Sequence, residues 1–253
     1  MTRNVRTYDH FCLTARALER VGDRWSLLVI RDLLTGPKRF TDLMDRLGGI
    51  TPKTLSQRLG ELEEAAIVTA DREQGRREVW YALTPAGADL EPVVDALNWW
   101  GLRHAWRWPQ PGEPLHAEHL LRCVIQAIDH AGGDHEPARW HFRVDGDDYL
   151  AESDGHGWRL TARAPSAPPA AAAPSAPSAP AAPSAPADVT VTATAGSLTA
   201  LIFAGSDHDE DIAGVDIAGA NSAIRRFRHL IGTMAAVVNP AAAPSQPEPL
   251  IGG

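Results

Sequence analysis

Thr51-Pro52-Lys53-Thr54-Leu55-Ser56-Gln57-Arg58-Leu59-Gly60-Glu61-Leu62, read on to Leu83, decides the fold of this 253-residue chain. Thr51 suits an N-cap, and Pro52 suits the first helical turn, where a missing N–H costs nothing. At about 100° per residue, Leu55, Leu59 and Leu62 share one stripe while Lys53, Thr54 and Gln57 project from the other side. After Ile67 the period changes. Ile67-Val68-Thr69 and Val79-Trp80-Tyr81 read as strands on either side of the basic turn Gln74-Gly75-Arg76-Arg77. A helix docked by leucines, with an open polar flank and a basic hairpin behind it, is a winged helix shaped to enter a DNA groove.

Working back from Thr51, Gly48-Gly49 closes a short helix over Phe40 to Leu47, which gives helix-turn-helix spacing. Thr35-Gly36-Pro37 ends a preceding helix that begins at Arg24 behind the capping Asp23. Trp25, Leu27, Leu28, Val29, Ile30, Leu33 and Leu34 make that helix apolar around most of its circumference, which marks it as the central core helix. An earlier helix spans about His10 to Val21. Working forward, Leu83-Thr84-Pro85 repeats the cap-and-proline signal and opens a helix towards Trp108, with Pro92 expected to kink it. Leu97, Trp99, Trp100 and Trp106 on or after that helix offer more apolar area than a small wing domain needs, and a dimer interface is the expected use. Packing against the C-terminal half is the alternative.

Pro109-Gln110-Pro111-Gly112 separates two domains, expected at 1–108 and 115–237 with 109–114 as linker. The second reads as α+β: a helix near Leu115 to Ala131, then strands near Trp140 to Val144, Tyr149 to Glu152 and Trp158 to Arg163. Asp145-Gly146 supplies the first hairpin turn. A strand near 188–192, a helix near Ser197 to Phe203, a strand near Val215 to Ala218 and a helix over Asn221 to Thr233 follow. Residues 164–187 repeat Ala, Pro and Ser without charge or bulk, so they read as a disordered insertion, and 238–253 as a disordered tail.

The hydrophobic fraction of 44% is ordinary for a globular protein, and no apolar run approaches the roughly 20 residues of a membrane span. A cytoplasmic protein with no membrane partner is expected. Net charge is −8, but residues 1–110 hold 16 Lys and Arg against 15 Asp and Glu, and the remainder 8 against 17. Acidity therefore belongs to the C-terminal half. Lys38, Arg39, Lys53, Arg58, Arg72, Arg76 and Arg77 lie on the segments expected to approach DNA, and local field governs that encounter. Two cysteines, Cys12 and Cys123, match no disulfide framework or zinc spacing. His116, Glu118 and His119, and the run His208-Asp209-Glu210-Asp211, supply no established metal geometry, so no metal or cofactor is expected. No phosphate loop, nucleophile elbow or catalytic carboxylate pair is present, and the chain does not read as an enzyme.

The first half resembles the HxlR-type winged-helix transcription regulators over about residues 9–108. The resemblance rests on Cys12, Ala17-Leu18, Val21-Gly22-Asp23-Arg24-Trp25-Ser26-Leu27-Leu28, Gly36-Pro37-Lys38-Arg39-Phe40, Ile50 to Leu59, and Tyr81 to Gly87. It implies a homodimer on a pseudo-palindromic operator, with the Thr51 helix in the major groove and the wing on adjacent backbone or minor groove. The DNA-contacting set is then Lys38, Arg39, Thr51, Lys53, Thr54, Ser56, Gln57, Arg58, Arg76 and Arg77. For Arg58, phosphate contact competes with an ion pair to Glu61. Some members of that family sense oxidants through a cysteine, which makes Cys12 a candidate sensor beside Arg16. In the antiparallel strands after Arg139, in Asp188-Val189-Thr190-Val191 leading into a helix, and in Gly214-Val215-Asp216-Ile217 leading into Asn221 to Arg228, the second half is similar to sterol-carrier-type domains, from whose pattern the Ala/Pro/Ser insertion departs. The resemblance implies an α+β fold around an apolar tunnel and an apolar small-molecule effector. The competing reading is a lipid carrier whose winged-helix domain mainly dimerises.

Overall fold

A computed structural model describes residues 7–72, 78–130, 135–163, 186–203 and 212–238. The wing tip Gln74 to Arg77, nearly all of the Ala/Pro/Ser run, the acidic run at 208–211 and the tail expected at 238–253 (all but its first residue) lie outside them. The chain divides into two compact units: residues up to 98 together with 108–114, and residues 99–107 together with those from 115 onward. Among the described residues no helix is long and apolar enough to cross a membrane.

In the first unit the helices are α1 (Leu13–Val21), α2 (Ser26–Leu33), α3 (Phe40–Leu47), α4 (Pro52–Glu64) and α5 (Pro85–Ala88), and α6 (Glu91–His104) begins there. The strands are β1 (Lys38–Arg39), β2 (Val68–Asp71) and β3 (Trp80–Leu83), in the order β1-β3-β2 and all antiparallel. The helix starts follow from side-chain acceptors that satisfy otherwise orphaned N–H groups. Asp23 Oδ1 accepts from the Trp25 N–H at 2.9 Å, Thr51 Oγ1 from the Thr54 N–H at 3.2 Å, and Thr84 Oγ1 from the Gly87 N–H at 3.1 Å. Val29, Ile30, Leu43, Leu55, Leu59 and Leu62 form the buried centre. Gly87 has to be glycine, since a Cβ there would lie 2.2 Å from the Ile67 carbonyl oxygen.

Two expectations change. The two-residue β1, too short to show a period, adds a third strand to the expected hairpin. The expected single kinked helix is two helices, broken at Asp89-Leu90, with Pro92 in the first turn of α6. There its absent N–H removes no intrahelical bond, so the proline starts a helix instead of bending one.

The second unit contains α7 (Ala117–His130), β4 (Ala138–Val144), β5 (Asp147–Ser153), β6 (Trp158–Arg163), β7 (Val189–Ala193), α8 (Ala195–Phe203), β8 (Val215–Gly219) and α9 (Asn221–Val238). The sheet order is β6-β5-β4-β7-β8. β4 and β7 run parallel at its centre, and every other neighbour is antiparallel. Burial alternates along β4, β5 and β7, so one face is covered, and α7, α8 and α9 pack there. Trp140 packs against Trp158 at 4.1 Å between ring centroids and meets Phe227 edge-on at 5.0 Å. Asp145 and Gly146 both take positive φ (51° and 93°), the geometry of a type I′ hairpin turn. The Asp145 carboxylate also accepts from the Ala195 N–H at 3.0 Å, which ties the turn to the start of α8.

Candidate nucleic-acid interface

α3, the Gly48-Gly49 turn and α4 form the helix-turn-helix, and the leucine stripe decides which side of α4 faces out. Leu55, Leu59 and Leu62 are buried, which leaves Lys53, Ser56 and Gln57 exposed and Thr54 half-buried on the opposite flank. The Thr51 hydroxyl caps the helix and lies 2.8 Å from the Thr54 hydroxyl, so both are engaged within the first turn. Gln57 Nε2 donates to Glu61 Oε1 at 2.9 Å.

The expected cations divide into an open one and several that the fold already uses. Lys53 stands open on the flank. Arg58 is half-buried, with Nη1 2.6 Å from Glu61 Oε2 and 3.4 Å from Asp23 Oδ2. Of its two readings, the ion pair to Glu61 is the one the structure contains. Arg39 donates to both Asp42 oxygens and to Glu78 Oε1, and its guanidinium lies 5.6 Å from the Trp80 ring centroid. Burial pushes the Asp42 carboxyl up, but the hydrogen bonds and charge of Arg39 outweigh it and hold the group below its ordinary value. Arg72 pairs with Glu63 at 2.8 Å. Arg76 and Arg77 lie outside the described residues.

Lys38 is half-buried, and its Nζ donates to Thr35 Oγ1 at 3.0 Å and to the Gly36 carbonyl at 3.3 Å. Burial lowers its pKa to about 8, Arg46 pushes in the same direction, and Asp32 and Asp42 oppose. An unfolded lysine titrates near 10.4. The unfolded chain therefore binds the proton more tightly, so stability is held down below pH 8 and recovers as pH rises from 8 to about 10.5. Between pH 8 and 10 the wild type should gain about 1–3 kcal/mol relative to Lys38→Met, measured by urea unfolding. A difference independent of pH would show that the ammonium is solvated normally.

Sequence reasoning missed a buried ionic cluster behind this surface. Asp32 on α2 is fully buried, 3.2 Å from Arg31 Nη2 and 3.4 Å from Arg46 Nε of α3. Its one available signal was a carboxylate inside a helix that is apolar around most of its circumference, because such a group must find partners.

The four aromatic and aliphatic residues expected at a dimer interface separate by environment. Trp99 stacks on His130 at 4.2 Å and Trp106 meets Phe203 in a tilted contact at 3.9 Å, and both are partly buried against the second unit's core. Leu97 and Trp100 are 50% and 60% exposed, and with Val93 they make a stripe at positions i, i+4 and i+7 of α6. Tyr8, Phe11 and Leu13, at and just before the start of α1, are exposed as well. Cys12 is the N-cap residue of α1 and partly exposed. The backbone N–H groups of Ala15 and Thr14 hold its thiol below the ordinary value, while Arg16 reaches towards Glu19 at 3.9 Å. Cys123 packs at the edge of the second core. Glu118 is buried and accepts from the Tyr149 hydroxyl at 3.1 Å. Among the described residues no three metal-ligating side chains converge.

A leucine-docked helix with its polar flank outward, set against a three-stranded sheet, defines a winged helix-turn-helix domain. Residues 20–108 match the HxlR-like helix-turn-helix family. The HTH-type transcriptional regulator YodB of Bacillus subtilis is 33% identical over 100 residues, 39% of this chain and 86% of that protein. An uncharacterized HTH-type transcriptional regulator of Synechocystis, sll1512, is 34% identical over 90 residues, 35% of this chain and 67% of its own length. Another, Mb3122 of Mycobacterium bovis, is 40% identical over 108 residues, 41% of this chain and 65% of its own length. The chain belongs to the HxlR-like helix-turn-helix family, and it carries a separate α+β unit besides.

Proposed function

We propose that this chain is a transcription regulator that acts as a homodimer. Each protomer places α4 in the major groove of one half of a pseudo-palindromic operator, with the wing on the neighbouring backbone. The observation that carries this reading is the position of Lys53, Ser56 and Gln57 at the surface over a buried leucine stripe. The exposed Leu97 and Trp100 favour a second copy as partner. Cys12, partly exposed and acidified by backbone donors, is read as an oxidant-responsive thiol, and operator binding should then weaken on diamide treatment of the wild type and not of Cys12→Ser.

The second unit is read as a sterol-carrier-like receptor for an apolar small molecule, not as an enzyme. Support comes from its α+β form, with three helices laid over the apolar face of one sheet. Effector control requires unequal affinity of that molecule for the DNA-competent and DNA-incompetent states.

The test is a mobility-shift titration of the full chain on its own promoter DNA, with Lys53→Ala and Gln57→Ala beside the wild type. Each variant should lose about five- to hundredfold in specific affinity, and Lys53→Ala should also lower the salt slope by about one. Wild-type protein that retards no promoter fragment specifically at moderate salt would overturn the proposal and favour a carrier role.

A further inference from the structure

A run of contacts on α4 fixes how Gln57 meets DNA, a conclusion that rests on the DNA-binding role proposed above. Asp23, in the turn before α2, faces Arg58 at 3.4 Å. Arg58 holds Glu61 through Nη1 to Oε2 at 2.6 Å and Nη2 to Oε1 at 3.2 Å. Glu61 Oε1 in turn accepts from Gln57 Nε2 at 2.9 Å. The Arg58 side chain is only 15% exposed and that of Glu61 30%, so the carboxylate is anchored from the protein side and its position does not depend on solvent.

An ionised carboxylate only accepts hydrogen bonds, so the amide nitrogen of Gln57 has to face Glu61 and the amide oxygen has to face away. One N–H is consumed. What remains is one carbonyl oxygen and one N–H on the exposed flank of α4. In the major groove that acceptor-and-donor pair matches adenine, whose N6–H₂ donates and whose N7 accepts. Without Glu61 the amide could turn over or swing, and its two ends would be presented without preference.

We infer that Glu61, held by Arg58 and Asp23, is a positioning residue that sets Gln57 to read adenine at one position of each operator half-site. Glu61 touches no base itself. Its removal takes a negative charge away from the DNA face, so a purely electrostatic or structural role would change affinity for all sequences together. A positioning role changes one column of the base preference.

Selection from a random double-stranded DNA library by the full-length protein separates these cases. Wild type should enrich a two-fold motif containing an adenine preferred about tenfold over other bases in each half. Gln57→Ala should erase that preference, and Glu61→Ala should flatten it severalfold while other columns and overall binding are kept or strengthened. The inference is overturned if Glu61→Ala leaves every column unchanged or shifts all of them alike, or if the column lost in Gln57→Ala prefers a base other than adenine. A wild type that enriches no motif would instead defeat the DNA-binding role, and this inference with it.

Discussion

Leu97→Asp combined with Trp100→Ala is expected to raise the dissociation constant of the proposed homodimer by about a thousandfold or more, read by sedimentation velocity. A central aromatic or aliphatic anchor at an interface is worth about 2 kcal/mol or more. In a two-fold interface each substitution occurs twice, so even one anchor contributes about 4 kcal/mol, or three powers of ten. Because both side chains are already half or more exposed in the protomer, the dissociated variant should keep the wild-type circular-dichroism spectrum, while its unfolding midpoint loses the concentration dependence that association gives the wild type. Trp99→Ala is the contrasting control. That ring stacks on His130 and packs against the edge of the α+β core, so its truncation should lower stability there and leave association nearly untouched. A double variant that still sediments as a dimer would move the interface off α6.

Asp32→Ala should cost the winged-helix unit about 3–5 kcal/mol, because a buried ion pair broken from one side leaves its partners charged and poorly solvated. Asp32 is wholly enclosed between Arg31 and Arg46 and links α2 to α3, and the side chains of both arginines are themselves mostly buried. Against a typical domain stability of 5–15 kcal/mol the loss approaches complete unfolding at 37 °C. Urea unfolding should show the fall, and DNA binding should disappear with it although no residue of the polar flank of α4 has changed. A loss below about 1 kcal/mol would mean that water or other groups take over both guanidinium charges.

Much of this was legible from local chemistry. The Thr51-Pro52 and Thr84-Pro85 caps set helix starts that the structure reproduces, and α3 spans Phe40 to Leu47 as expected. The Asp145-Gly146 turn and the strand and helix order of the second unit were readable for the same reason: each depends on a few adjacent residues. What escaped depends on partners distant in sequence. Among the described residues, Arg39 meeting Glu78, Arg58 meeting Asp23 and Arg72 meeting Glu63 neutralise much of what looked like an open basic surface. Lys38 was expected at DNA for its charge, and the fold buries that charge in the turn before α3. The division of Trp99 and Trp106 from Leu97 and Trp100 was likewise hidden. A helical period gives the spacing of apolar residues and not which neighbour each one meets.

The parallel pairing of β4 with β7 joins residues 49 apart in sequence, as Arg139 and Asp188 are. Contacts of that span are slow to form because a long loop has to be closed first. On a ribosome the winged-helix residues emerge first and can close on themselves. β4 meanwhile has β5 on one side and nothing on the other until residue 189 has been made, a bare backbone edge to which other nascent chains could add. The α+β unit is therefore expected to need chaperones more than the winged helix does, and truncations that stop before β7 should aggregate while the winged helix in the same polypeptide still folds, read by the soluble fraction and by limited proteolysis.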